Sequence, residues 1–186
     1  MDRTARLLSG AAILVCLLSL RPEPRPAVAA QAEGELLAIA RTYLDDRAAR
    51  LTTDAPEGEL TRAPVTDALR RRLAADALAI DRRRELLRSV NGGHDRAEVT
   101  VQDARFDHDH EDEGGAPALH LTERTKLFHG RTPASAPQAE QYQLRHRFTF
   151  EKSADGRWRL ASAVPELAEG GLPPDTYPRP GAGPTG

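Results

Sequence analysis

The chain has 186 residues, 39% of them apolar and 29% charged, which fits one folded domain with appendages and excludes a wholly disordered or membrane-embedded chain. Its formal net charge of −2 excludes general nucleic-acid binding driven by electrostatics. Aromatic residues make up only 4%, so the core must be mostly Leu, Val and Ala, and the single cysteine, Cys16, excludes a disulfide framework.

Arg3 and Arg6 precede an apolar run of 14 residues, Leu7 to Leu20. A membrane-crossing helix needs about 20 apolar residues, so this run is too short to span and suits the hydrophobic stretch of a secretory signal. Ala27-Val28-Ala29 supplies small residues for cleavage before Ala30, and Val28-Ala29-Ala30 for cleavage one residue later, which predicts a signal peptide over 1–29 and a secreted, extracellular protein, with an uncleaved membrane anchor as the alternative. Removal of the signal peptide takes away four Arg and two acids, shifts the net charge from −2 to −4, and leaves no cysteine to act as a nucleophile or thiolate ligand.

Residues 32–51 carry Leu36, Ala40, Tyr43, Leu44, Ala48 and Leu51 at three- and four-residue steps, the apolar stripe of a first helix. Turn formers follow over 52–62, and Pro64 suits the first turn of a second helix. Val65, Leu69, Leu73, Ala77, Ile80 and Leu87 are its expected buried stripe. Arg84 interrupts that stripe, with a stem that can cover apolar surface. Asn91-Gly92-Gly93 ends the helix.

Beyond Gly93 the apolar period falls to two. Ala97, Val99 and Val101 share one face of a strand, as do Leu119, Leu121 and Leu127. Tyr142, Leu144, His146, Phe148 and Phe150 share another, and Trp158 with Leu160 follows the hairpin signal Asp155-Gly156. Helices first and half-buried strands afterwards predict an α+β domain over 30–165. In it, two N-terminal helices pack on a curved antiparallel sheet of about four strands that curls around the second helix. The Pro- and Gly-rich stretch 166–186 reads as a disordered tail.

The segments ALRRRLAADALAIDRRRELL (68–87), ALHLTERTKLF (118–128), YQLRHRFTFEKS (142–153) and DGRWRL (155–160) carry a resemblance. With the signal-like N-terminus, their order looks like the cystatin/NTF2-like architecture. More narrowly, they resemble the N-terminal region of secreted actinobacterial proteins that carry an amidase domain. The resemblance covers roughly residues 33–164. It implies the accessory part of such proteins without the cysteine-containing catalytic part, so it transfers no catalytic residue.

Three sets of residues are candidates for chemistry. In an extended strand His108 and His110 would point to one face and, with Asp109, could hold Zn²⁺ or Cu²⁺. The favoured alternative is a solvated hairpin tip, because Gly114-Gly115-Ala116-Pro117 follows and apolar support is absent. His146 stands on an otherwise apolar strand face and could serve a ligand pocket, with Glu123 and Thr125, which interrupt the apolar face of their own strand, as nearest partners. The favoured alternative is a satisfied core histidine. Residues 62–88 hold eight Arg against four acids, a basic surface for anionic envelope components or a wet helix face. No phosphate loop, Ser-His-Asp set or helix-borne His pair is present, so no cofactor and no catalytic residue is assigned. The expected function is a non-catalytic secreted accessory or interaction domain of the cell envelope, with no membrane span after signal cleavage. A small-ligand binder or pocket enzyme centred on His146, and a metal binder using His108 and His110, are the alternatives.

Overall fold

The computed structural model describes residues 27–55, 58–107, 117–130 and 138–166. The expected metal ligands His108, Asp109 and His110, the signal segment up to residue 26 and the tail beyond 166 lie outside these residues. The elements run α1 (Ala27–Ala49), α2 (Asp67–Asn91), β1 (His94–Asp107), β2 (Ala118–His129), β3 (Ala139–Lys152) and β4 (Trp158–Glu166). The strands form one open sheet in the order β1-β2-β3-β4, every neighbouring pair antiparallel, so the chain is α+β.

α1 begins at Ala27, ahead of the start that apolar periodicity alone marks, because Ala is the strongest helix former and the sequence Ala-Val-Ala-Ala-Gln-Ala propagates the helix. Its buried stripe is the expected one, Leu36, Ala40, Tyr43, Leu44 and Ala48. α2 starts later than Pro64 suggests. Thr66 is the N-cap, its hydroxyl accepting from the Leu69 N–H. Residues 64–66 are extended instead, because Pro64 O accepts from Leu160 N–H and Thr66 N–H donates to Leu160 O. Leu69, Leu73, Ala77 and Ile80 face the core, and Leu87 is only half-buried. Arg84 donates to the Arg50 carbonyl at 3.3 Å, a bond that ties α2 to the end of α1. Gly92, at φ 85°, closes the helix with its N–H on Arg88 O.

The strands alternate as their sequence requires. Tyr142, Leu144, His146, Phe148 and Phe150 of β3 are buried while Gln143, Arg145 and Arg147 are exposed. α1 lies across β1, β2 and β4, and α2 lies beside β4. Tyr43 meets Phe148 edge-on at 6.0 Å between ring centres. The sheet is therefore covered chiefly by α1, whereas the expected arrangement curled it around the second helix. Trp158 shares the parity of the buried Leu160, which points it toward the core, and it packs against the core only half-buried. It opens β4 opposite Lys152 at the end of the β3–β4 hairpin, and the Lys152 ammonium lies 5.4 Å from the ring centre.

Candidate functional site

Among the described residues, a histidine–carboxylate pair joins His120 to Glu166 at 3.3 Å, and two larger clusters of this kind lie on the sheet. The first is built by strand parity. Glu123 and Thr125 are alternate residues of β2 on its buried face. Leu121 pairs with His146 and Glu123 with Leu144, so His146 is the diagonal neighbour of Glu123. His146 Nε2 lies 2.6 Å from Glu123 Oε2, and Thr125 Oγ1 donates to Oε1 at 2.6 Å. From α1, an Arg47 guanidinium nitrogen comes to 3.9 Å of Oε1. The Glu123 side chain is fully buried and that of His146 is 4% exposed. The structure thus brings together all three residues considered for a ligand pocket.

An isolated carboxylate at this depth would cost several kcal/mol. Burial alone pushes the Glu123 carboxyl up. The His146 hydrogen bond, the Arg47 charge and the Thr125 hydroxyl outweigh it and hold the group below its ordinary value. A carboxylate only accepts, so Nε2 carries a hydrogen toward Glu123, and Nδ1 is the ring's other nitrogen. That atom is buried, without a hydrogen-bond partner, and the ring stacks on Phe148 at 5.4 Å. Chemically this is an oriented imidazole base whose free nitrogen faces packed protein.

The second cluster sits at one end of the sheet. His94 opens β1 and pairs with His129, which closes β2, and Glu140 lies near the start of β3 opposite Leu127. The His129 N–H donates to Gln138 O, holding the β2 and β3 ends together. One donor atom from each of His94, His129 and Glu140 lies within 4.8 Å of the others. His94 Nε2 is 3.6 Å from one Glu140 oxygen, and His129 Nε2 is 3.4 Å from the other. The His94 side chain is fully buried while Glu140 is 51% exposed, so the cluster opens to solvent on one side. Burial holds the His94 imidazole below its ordinary pKa, opposed by Glu140 and reinforced by the charges of His129 and Arg83. Sequence reading missed this cluster. The available signal was that histidines at the first residue of one strand and the last of the next become neighbours in a fully paired antiparallel hairpin.

A groove of about 530 Å³ runs between the 58–61 segment and α2. Leu60, Val65, Leu73, Ala77 and the exposed Leu78 give it an apolar floor, and Arg70 and Arg71 stand on its rim. A second, polar pocket of about 360 Å³ lies between Arg105, His120, Arg145 and Glu166. Neither is lined by His146 or Glu123. No helix among the described residues is long and apolar enough to cross a membrane. No protein-family model matches the chain, and no curated protein matches it in sequence.

Proposed function

We propose that the chain is a non-catalytic, secreted interaction module of the cell envelope with a cystatin/NTF2-like fold, akin to the accessory region of the amidase-domain proteins it resembles. The carrying observation is a contrast in access. The imidazole of His146, held by Glu123, is closed in by its own partners, whereas the α2 groove is open and apolar. Its occupant is an acidic peptide segment of a partner protein that inserts an apolar side chain. α2 carries seven Arg against four acids, which supplies the complementary charge. The apolar floor favours a side chain over a wall polymer that has none. The signal-like N-terminus supports the extracellular location.

Amide chemical-shift mapping with an acidic Glu/Leu hexapeptide tests this reading. Shifts are expected around Leu60, Leu73 and Leu78. Shifts centred on His146 and Leu144 would instead support a small-ligand pocket there, and an unchanged spectrum at millimolar peptide would refute the groove.

A further inference from the structure

We propose that His94, His129 and Glu140 form a binding site for a divalent transition-metal ion, with Zn²⁺ the best-fitting probe. This inference is independent of the function proposed above. Zinc–nitrogen and zinc–oxygen bonds of about 2.0–2.2 Å place two ligands of a tetrahedral ion about 3.3–3.6 Å apart. The two histidine-to-carboxylate separations, 3.6 and 3.4 Å, already match that edge. The carboxylate uses one oxygen toward each imidazole, and the two rings lie 4.8 Å apart between centres at 32°. Two imidazoles and one carboxylate suit a borderline ion such as Zn²⁺ and disfavour Ca²⁺ and Mg²⁺, which take oxygen shells.

A second observation points to a missing partner. Both ring nitrogens of His94 are fully buried with no hydrogen bond, although buried polar atoms are nearly always satisfied. A metal on Nε2 would satisfy one of them. The half-exposed Glu140 gives the ion a route in. The pairing of the ends of β1 and β2 and the β2–β3 closure at His129 preset the donors, so little chain ordering opposes binding. Arg83, which acts on His94 electrostatically, works against a cation and keeps the affinity moderate.

Calorimetry of the full-length chain with Zn²⁺ decides the matter. One equivalent is expected to bind at micromolar concentration. Glu140→Gln and His129→Ala should each weaken it by at least about tenfold. The Glu140 side chain is half exposed, so Glu140→Gln keeps the fold intact and isolates the loss of a ligand. The double variant His108→Ala with His110→Ala should bind as the parent does. The proposal is overturned if millimolar Zn²⁺ gives no binding, or if Glu140→Gln and His129→Ala leave the affinity unchanged while the 108/110 variant abolishes it or not.

Discussion

The two histidine–carboxylate clusters share a sheet and differ in how their hydrogen bonds are spent. Around Glu123 each oxygen has a donor, from Thr125 and His146, and Arg47 adds charge. Around Glu140 the contacts to His94 and His129 are longer, and neither ring nitrogen of His94 makes a hydrogen bond. The first is a closed network whose energy is committed to the fold. The second holds unspent donor capacity beside solvent. Residue types alone would rank them alike, and the short hydrogen bonds made to the Glu123 carboxylate, absent at Glu140, separate them.

The largest effect expected from this contrast is at Glu123. Glu123→Ala leaves Arg47 and His146 buried opposite an empty acceptor, and should cost about 3–5 kcal/mol in urea denaturation. A loss under about 1 kcal/mol would mean the network is not structural. The same group gives a pH signature. Its native pKa lies below the ordinary 4.5, so the unfolded chain takes up the proton first as pH falls. Its stabilisation is therefore present above pH 4.5 and lost as pH drops through the native value. Glu123→Gln should flatten that part of the stability curve, and an unchanged acid limb would contradict the assignment.

The open cluster should respond to its ligand. Free Zn²⁺ at 100 times its dissociation constant should stabilise the fold by about 2.7 kcal/mol, visible as a rise in Tm. At the same Zn²⁺ the rise should fall to about half or less in Glu140→Gln, and an undiminished rise there would locate the metal elsewhere. Smaller again is Thr125→Val, which removes one hydroxyl donor from a carboxylate that keeps two other partners. About 1–2 kcal/mol is expected from thermal unfolding, and no loss would show that His146 and Arg47 suffice. The smallest effect belongs to Glu140→Gln without metal, within about 0.5 kcal/mol of the parent. A larger drop would show that the second cluster, like the first, supports the fold.

Much of this arrangement was legible in the chain. Three-and-four spacing marked the buried stripes from Leu36 to Ala48 and Leu69 to Ile80, and alternation marked the faces of β2 and β3. Parity also placed Glu123, Thr125 and His146 on apolar faces, since each breaks an apolar series. Parity does not give register, and the contact between Glu123 and His146 depends on Leu121 pairing with His146. The second cluster was illegible for the same reason, because it needs the ends of three strands brought to one corner. Pro64 misled because the extended bridge from Val65 to Leu160 outcompetes a helical first turn. Trp158 misled because shared parity with Leu160 fixes its face, not its depth beneath the helices. The α2 groove depends on how the 58–61 segment lies against the helix, which no local pattern encodes.

The most direct test of the division between a closed and an open cluster is nitrogen NMR of the histidine rings during Zn²⁺ addition. The account predicts that the ring resonances of His94 and His129 shift on binding, while those of His146 keep their position. A shift at His146, with His94 and His129 unmoved, would contradict it.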